Sequence, residues 1–262
     1  MRLGVRSGID LRLQSPEFTI LDENDDFLIV DKPAHLLVHP SVPGNPPTLL
    51  DGLEDLCIFE LANGGALSLI NRLDRETSGI VLVAKHKEAA GELGRAMELR
   101  EFRKSYHALV LGWPDKDQFV VDAPLRRKGE VTKSPIWVKQ IVHPEGKESR
   151  TRFEVEQRFE KETSQGNQFS LLRCFPETGR MHQIRVHAAH VGHPIVGDKI
   201  YGPDETCYLD FIETGWTAAL EEKLLLNRQA LHASGFGWKN RDWHSPLPED
   251  MARFLEPGQE RS

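Results

Sequence analysis

The sequence is consistent with an α+β fold, and three observations support this class. Short apolar segments are separated by turn residues, which is typical of strands joined as hairpins. Longer segments repeat their apolar residues at helical spacing. Hairpins outnumber the other predicted strand connections, as expected for a largely antiparallel sheet accompanied by separate helices.

The elements of the N-terminal half are predicted from apolar periodicity and turn chemistry. An acidic turn separates the first two strands, Thr48 can cap a helix, and Leu93, Ala96 and Met97 share one helical face. In order, the predicted elements are strands at 18–21 and 27–30, a helix from Thr48 to about 61, a strand at 80–84, a helix at 86–102 and a strand at 105–111.

The C-terminal half follows the same two patterns. Phe153, Val155 and Phe159 alternate with polar residues, and a Gly-Asn turn at 166–167 joins this strand to the next as a hairpin. The predicted elements are strands at 151–159 and 169–175, helices at 181–191 and 217–226, a strand at 235–238 and a helix at 246–255.

Composition indicates an ordinary globular chain. It has 262 residues, of which 39% are hydrophobic and 28% charged, which is enough for one large domain or two small ones. The chain lacks an apolar run of about eighteen residues and an N-terminal signal core, so we expect no membrane span and no secretion. Its three cysteines lie far apart and fit a reducing, cytoplasmic location.

The net charge of −7 argues at first against a nucleic-acid partner, but the charges are unevenly distributed. Residues 1–70 carry 4 basic and 11 acidic side chains, and residues 201–262 carry 6 and 11. Residues 71–140 carry 14 and 10 instead. Because phosphate binding needs only a local basic patch, the middle of the chain can accept an anionic partner, although ordinary surface variation also accounts for this surplus.

The most informative stretch is residues 71–79, Asn-Arg-Leu-Asp-Arg-Glu-Thr-Ser-Gly. It places Asp74 between Arg72 and Arg75 on a loop that leads into the buried strand predicted at 80–84. We expect the two arginines to lower the pKa of Asp74 and keep it ionised, as a nucleophile or general base requires. From these residues alone, however, a turn-capping aspartate in a structural ion-pair network is favoured.

The segment 72–79 resembles the central motif of the RluA-type pseudouridine synthases, in which the aspartate is catalytic. Further segments match in family order: 27–34 (FLIVDKPA), 104–110 (KSYHALV), 178–187 (TGRMHQIRVH), 193–198 (HPIVGD) and 231–233 (LHA). The resemblance covers about residues 18–240. It implies the pseudouridine synthase fold, a mixed and mostly antiparallel sheet with flanking helices and a central active-site cleft.

The resemblance implies that a uridine in structured RNA, either ribosomal or transfer RNA, is isomerised to pseudouridine. The N1–C1′ bond breaks, the uracil turns while bound, and C5 is joined to C1′. Reaching that bond requires the base to leave the stack, which costs about a few kcal/mol. The reaction is redox-neutral, so no cofactor and no metal are expected.

The resemblance also assigns roles to individual residues. Asp74 would attack C1′, add to C6 of the uracil or take a proton from C2′. Tyr106 would stack on the flipped base, and Arg185 would pair with Asp74. On pattern alone, Tyr106 is equally well a core tyrosine and Arg185 a helix-surface arginine. The predicted substrate-binding residues are Arg72, which would fill the gap in the RNA stack, together with Arg75, Arg180 and His182.

Two positions depart from the family pattern. His35 stands where relatives more often have glycine, and Asn71 stands where they more often have His or Gly. We expect the first departure to alter a local turn and the second to affect the fit of the RNA.

The predicted domain organisation is a loose N-terminal arm at 1–17 and a single catalytic domain at 18–262. Many relatives carry a small S4-like RNA-binding domain in front of the catalytic one, and too few residues precede the first predicted strand to build it. We therefore expect RNA selection by the catalytic domain itself. We also expect a monomer with no obligatory protein partner.

A metal site is considered because histidines cluster near the predicted helix 181–191. They are His182, His187, His190 and His193. Their spacings of 5, 3 and 3 do not match the His pair of a helical zinc site, and no carboxylate or cysteine lies among them, so no metal is predicted. Because Gln183, Arg185 and His187 are expected to point in different directions, they cannot all line one site.

Two other classes of function remain open. One is a catalytically silent RNA-binding or RNA-folding protein on the same scaffold, which the presence of Asp74, Tyr106 and Arg185 disfavours. The other is a metal hydrolase built on the histidine cluster, which metal analysis of the purified protein would identify.

Overall fold

The computed structural model describes residues 16–40 and 46–256. Its strands are β1 (Thr19–Glu23), β2 (Phe27–Lys32), β3 (Ser68–Leu69), β4 (Ser78–Ala84), β5 (Arg103–Leu111), β6 (Gln118–Asp122), β7 (Leu125–Arg127), β8 (Gln140–Val142), β9 (Arg150–Thr163), β10 (Gly166–Pro176), β11 (Leu231–Trp238) and β12 (Arg241–His244). Its helices are α1 (Leu49–Leu56), α2 (Ile58–Ala62), α3 (Lys87–Glu98), α4 (Gln183–His190), α5 (Thr206–Thr214), α6 (Ala218–Leu224) and α7 (Glu249–Leu255). The predicted arm lies outside the described residues except for Pro16 and Glu17.

One large sheet carries most of the strands, in the order β1-β2-β4-β11-β5-β10-β9-β6. Strand β3 pairs with β4 and β12 pairs with β11, whereas β7 and β8 form a separate small sheet. Adjacent strands are antiparallel except β4 and β11, which run parallel with His232 opposite Ser78. The predicted mixed, mostly antiparallel sheet with flanking helices is therefore confirmed.

Strand β4 is buried along its whole length because helices cover both faces of the sheet around it. Ile80 and Leu82 pack with Leu93 of α3 on one face, whereas Val81 and Val83 pack with Leu53 of α1 on the other. Alternate side chains of a strand point to opposite faces, so a continuous apolar run satisfies both layers. The loop that precedes β4 thus leaves from the most buried part of the sheet.

Strand β4 begins two residues earlier than its apolar run predicts. Ser78 and Gly79 pair with His232 and Ala233 of β11 and are strand residues rather than loop residues. Gly79 has a φ of 110°, and a Cβ there would lie 2.3 Å from the carbonyl oxygen of Ala233. This close approach of two backbones accepts only glycine.

Helix α4 begins at Gln183, two residues later than predicted, because His182 takes a left-handed φ of 57°. Gln183 and His187 lie one turn apart, and both hydrogen bond to the hydroxyl of Thr151. The expectation that Gln183, Arg185 and His187 all diverge was therefore wrong for this pair, since residues i and i+4 share a helical face. Gln183 and Arg185 both line the cleft described below, whereas His187 does not, so the three residues do not all line one site.

The turn after β2 keeps a left-handed residue even though that residue is histidine. His35 has a φ of 66°, a conformation that costs an L-residue roughly 1–2 kcal/mol and glycine much less. The departure from the family pattern thus leaves the turn conformation in place and adds strain to it.

His35→Gly is expected to raise the free energy of unfolding by about 0.5–1 kcal/mol, because glycine relieves the strain but adds freedom to the unfolded chain. Urea unfolding at neutral pH measures this change. His39→Gly is a matched control, since His39 is exposed and is not among the residues with positive φ, so glycine there should only destabilise. A His35→Gly protein less stable than the parent would contradict the strain argument.

Within the described ranges, no helix is both long enough and apolar enough to cross a membrane.

Candidate active site

Three buried basic side chains hold the loop that carries Asp74 in place. Lys32, which is fully buried, donates from Nζ to the carbonyl oxygen of Arg75 at 3.2 Å. Arg228 donates from Nη1 to the carbonyl oxygen of Glu76 at 3.3 Å, and Lys199 pairs with the Glu76 carboxylate at 2.8 Å. The backbone beside Asp74 is thereby tied to β2 and to the segment before β11.

Asn71 fixes the entry to the same loop. Its side-chain amide donates to the carbonyl oxygen of Ile80 at 3.1 Å, and its oxygen accepts from the backbone N–H of Leu82 at 2.7 Å. The Asn71 amide thus makes hydrogen bonds to the backbone of β4 that a neighbouring strand would otherwise make. Because both of its polar groups are engaged by the backbone, Asn71 holds the loop, and its expected effect on the fit of the RNA stays a prediction.

Asp74 is paired with Arg185, and Arg185 is held in turn by Asp198. Arg185 Nη1 donates to Asp74 Oδ2 at 2.8 Å, while its Nε and Nη2 donate to the two oxygens of Asp198 at 2.6 and 2.8 Å. Asp198 is fully buried and also accepts from the backbone N–H groups of Ile200 and Tyr201. This bidentate pairing leaves the Arg185 guanidinium a single orientation, with one N–H directed at Asp74.

The charge state of Asp74 follows from these neighbours. Burial alone would raise the pKa of Asp74, but His182 and Arg185 beside it lower the pKa overall. Burial also lowers the pKa of His182 to about 4, so near pH 7 this ring is neutral and Arg185 is the cation that keeps Asp74 ionised.

The expectation that Arg72 and Arg75 keep Asp74 ionised is corrected by their positions. Arg75 Nε donates to the carbonyl oxygen of His35 at 3.3 Å, away from the carboxylate. Arg72 is exposed, and it pairs with no other residue in the part of the chain that the structure describes. The cation that contacts the carboxylate comes instead from Arg185 on the distant helix α4.

The Asp74 side chain, which is 31% exposed, opens into a cleft of about 110 Å³. Tyr106 lies in the same cleft, where burial and the charge of Asp74 raise the pKa of its phenol to about 12. The phenol is therefore protonated at neutral pH. The polar residues that line the cleft are Arg72, Asp74, Thr77, Lys104, Tyr106, Thr178, Arg180, His182, Gln183 and Arg185. Every predicted site residue except Arg75 is among them.

Several residues of the site were not predicted from the sequence. Gln229 donates from Nε2 to Asp74 Oδ2 at 3.3 Å and to the hydroxyl of Thr77 at 3.0 Å, so it helps to orient the carboxylate. Lys104 contributes a cation to the cleft. Asp198 and Lys104 lie inside segments that resemble the family motifs, so the sequence could have indicated them as site residues. Gln229 lies just outside such a segment and could not have been found in this way.

Comparisons with known proteins agree with this geometry. The sequence model described as RNA pseudouridylate synthase matches residues 26–190, which include Asp74, Tyr106 and Arg185. The chain belongs to this family. Membership of the RNA pseudouridylate synthase family explains the order of the motifs along the chain, and the resemblance seen in the sequence is confirmed.

Curated relatives extend the match over most of the chain. A protein named ribosomal large subunit pseudouridine synthase D from Nitrosomonas europaea is 38% identical over 247 residues, which cover 90% of this chain and 64% of that protein. An uncharacterised RNA pseudouridine synthase of Bacillus subtilis is 32% identical over 256 residues, 95% of this chain and 75% of that one. The chain thus spans about two thirds to three quarters of the length of these relatives.

Solved structures confirm the fold. Human RNA pseudouridylate synthase domain containing 1 covers 93% of this chain and 88% of its own, with a TM-score of 0.67 at 23% identity. Human RNA pseudouridylate synthase domain containing 4 gives the same TM-score at 21% identity, covering 90% of this chain and 91% of its own. The α+β pseudouridine synthase fold is therefore the architecture of this family member.

The histidines near α4 serve separate partners in this family member. His187 hydrogen bonds to Thr151 and to the carbonyl oxygen of Ala123, and His193 to the carbonyl oxygen of Leu111. Across residues 16–40 and 46–256, no group of three or more His, Cys, Asp or Glu side chains is arranged to hold a metal ion. The geometry offers no support for the metal hydrolase hypothesis.

The stability of the fold is expected to fall between pH 6.5 and about 4. Burial lowers the pKa of both His182 and His232 to about 4, whereas each has a pKa near 6.5 in the unfolded chain. As the pH falls, the unfolded state therefore binds protons before the folded state does. By pH 4, each histidine lowers the free energy of unfolding by on the order of 3 kcal/mol. Above pH 6.5 this contribution is fully present.

Urea unfolding at pH 7.5, 6.0, 5.0 and 4.5 measures this slope. His232→Asn, which removes one of these two groups, should flatten the dependence but not abolish it, since burial also lowers the pKa of His35 and of His187. Equal free energies of unfolding at pH 7.5 and pH 5 would contradict the prediction.

Proposed function

We propose that this protein isomerises a uridine within structured RNA to pseudouridine, and that residues 18–262 form its single catalytic domain. The observation that carries the proposal is the Asp74 carboxylate, which Arg185 keeps ionised at 2.8 Å in a cleft that it shares with Tyr106. The relative from Nitrosomonas europaea is named for the ribosomal large subunit, which supports ribosomal RNA as the first substrate class to test. Transfer RNA is the second.

The residues of the cleft then have definite tasks. Asp74 acts at C1′, at C6 of the uracil or at the C2′ proton, and Arg185 holds it charged and oriented. Tyr106 stacks on the extruded base and presents a protonated phenol near C5.

Contacts to the rest of the RNA come from the surrounding cations. Arg72, which no described residue engages, fills the gap in the stack, and Arg180 and His182 hold the nucleotide at the cleft. Arg75 is exposed on the other side of its loop, so its proposed contact is with RNA phosphate outside the cleft. We expect no cofactor and no metal for this chemistry.

The proposed setting is the cytoplasm, with the protein acting as a monomer and without an obligatory protein partner. Its cysteines, Cys57, Cys174 and Cys207, are free and buried, which supports a reducing compartment. Light scattering during size-exclusion chromatography tests the monomer, and a mass of twice 29.7 kDa would reject it.

Tritium release from RNA labelled at C5 of uridine tests the activity, because joining C5 to C1′ expels the C5 hydrogen. We expect release from large-subunit ribosomal RNA or from transfer RNA with the purified protein alone. Mapping pseudouridine in cells with and without the protein then identifies the position. Identical maps together with no release from any RNA would overturn the proposal.

The alternative, a silent RNA-binding or RNA-folding protein, is not favoured. The curated relatives quoted above are named as synthases, and Asp74, Tyr106 and Arg185 lie in one cleft. RNA binding without tritium release would be the result that revives it.

A further inference from the structure

His182 has a ring nitrogen, Nε2, in the cleft, and the family resemblance does not say what this nitrogen contacts. Its Nε2 lies 3.8 Å from Asp74 Oδ2, which is too long for a hydrogen bond. No other described residue accepts from this nitrogen, and only 9% of the side chain is exposed. The Nε2 of a side chain more than nine-tenths buried therefore lies in the cleft beside Asp74 without a hydrogen-bond partner among the described residues.

The other ring nitrogen is held by Tyr201. His182 Nδ1 lies 2.8 Å from the phenol oxygen of Tyr201, and that oxygen also accepts from the backbone N–H of Gln140 at 2.8 Å. If Nδ1 carried the proton, the buried phenol hydrogen would have no acceptor in the described structure. Because buried hydroxyls are rarely left unpaired, the phenol donates to Nδ1 and the ring proton lies on Nε2.

We infer that the Nε2–H of His182 donates a hydrogen bond to an acceptor oxygen beside the N1–C1′ bond of the target nucleotide, and that Tyr201 is the positioning residue that fixes this tautomer. The acceptor is O2 of the uracil or O2′ of the ribose. This inference rests on the proposed function, since it deepens the recognition of the same uridine.

The position of Nε2 places the acceptor close to the N1–C1′ bond, and O2 and O2′ are the strong acceptors there. The ring oxygen O4′ is also close but accepts weakly, because its lone pairs are drawn towards C1′ as the bond breaks. Asp74 acts at C1′, C2′ or C6, and each of these atoms is at most one bond away from the N1–C1′ bond. A donor 3.8 Å from the Asp74 oxygen therefore meets an oxygen close to that bond. O2 is attached to C2, the ring neighbour of N1, and O2′ is attached to C2′.

A neutral donor suits the step in which the N1–C1′ bond breaks. The bonding electron pair passes to the uracil ring, and negative charge spreads to its oxygens. A fixed N–H beside O2 stabilises that charge without giving up its proton, so no proton transfer through His182 is needed. The low pKa of His182, about 4 as a result of burial, agrees with a ring that stays neutral.

Tyr201 supports the catalytic pair at the same time. Its backbone N–H donates to Asp198 Oδ1 at 3.0 Å, and the Arg185 guanidinium lies 5.1 Å from the centre of its ring. Tyr201→Phe keeps both of these contacts and removes only the hydroxyl. The variant also removes the acceptor of the Gln140 backbone N–H, so the NMR tautomer readout described below, and not the fall in kcat alone, reports the hydrogen bond to His182.

The left-handed backbone at His182 allows stability and activity to be separated. Its φ of 57° suits asparagine better than glutamine, so His182→Asn should be the more stable variant. The glutamine amide reaches the place of Nε2, whereas the asparagine amide reaches only that of Nδ1. We expect His182→Gln to retain isomerisation within about tenfold and His182→Asn to lose about 10²–10³-fold in kcat. Activity that follows stability instead, with Asn above Gln, would overturn the inference.

Nitrogen NMR of labelled protein tests the tautomer without any substrate. We expect a protonated Nε2 and an unprotonated Nδ1 at His182, and a mixture of tautomers in Tyr201→Phe, whose kcat should fall about tenfold with little change in KM. A proton on Nδ1 in the parent protein would refute the inference. This readout remains valid even if no RNA is modified, a result that would defeat the proposed function instead.

Two altered substrates identify the oxygen. RNA with 2-thiouridine at the target replaces O2 by a weak acceptor, and RNA with 2′-deoxyuridine removes O2′. The substrate change that costs the parent protein activity but costs His182→Asn nothing further identifies the atom that His182 contacts. If both substrate changes add fully to the effect of His182→Asn, the proposed contact is excluded.

Discussion

Asp74→Ala is expected to abolish isomerisation while leaving the fold intact. Removing a group that acts on the reacting bond lowers the reaction rate by at least about 10²–10⁴-fold. The fold survives because Arg185, once released from Asp74, keeps its bidentate pair with Asp198, so no buried charge loses all its partners. Tritium release measures the first effect, and urea unfolding measures the second, which we expect to stay within about 1 kcal/mol.

The controls for Asp74→Ala separate chemistry from binding. RNA affinity, measured at one fixed salt concentration, should largely remain, because a carboxylate contributes no attraction to phosphate. Asp122→Ala removes an exposed aspartate that pairs with Arg150 and should leave tritium release unchanged. Release at the parent rate from Asp74→Ala would reject Asp74 as the catalytic residue.

Arg185→Ala is expected to be both inactive and strongly destabilised. The substitution leaves the fully buried Asp198 without its cation, and breaking a buried pair in this way costs about 3–5 kcal/mol. The two backbone N–H groups of Ile200 and Tyr201 remain on Asp198 but carry no full charge. Activity falls for a separate reason, since Asp74 loses the cation that orients it.

A second substitution distinguishes the two causes. The double variant Arg185→Ala, Asp198→Ala should recover part of the lost stability, because it removes the orphaned charge, but it should remain inactive. Arg180→Ala, an exposed arginine of the same cleft, should change stability by no more than about 0.5 kcal/mol. An Arg185→Ala protein as stable as the parent would show that the buried pair does not stabilise the fold.

Elements that depend on local patterns were predictable from the sequence. The alternation in β9, its hairpin to β10 and the capping hydroxyl of Thr48 on α1 are all present in the structure. The predicted turn residues were wrong, because Ser164 and Gln165 form the turn and Gly166 and Asn167 already belong to β10. Each depends on residues that are close in sequence, so the local pattern contains the information. The boundaries were less accurate where a distant partner extends an element, as β11 does when it pairs with the first residues of β4.

The sequence predicted most residues of the site but only some of the contacts between them. The motifs gave Asp74, Tyr106 and Arg185 and also the pairing of Arg185 with Asp74, whereas the residues around Asp74 taken alone assigned its charge to Arg72 and Arg75. In the structure that cation comes from Arg185, 111 residues further along the chain. The contact of Gln229 with Asp74 spans 155 residues and carried no signal in the sequence.

The sequence by itself determined seven of the twelve strands in the described residues, most of the helices, the loop that presents Asp74 and, through its motifs, the family of the protein. Only the tertiary structure decided which charges meet, which face of α4 enters the cleft and which nitrogen of His182 is free. The physical reason is that apolar periodicity and turn chemistry act between near neighbours, whereas ion pairs and buried hydrogen bonds depend on distances that exist only once the sheet has closed.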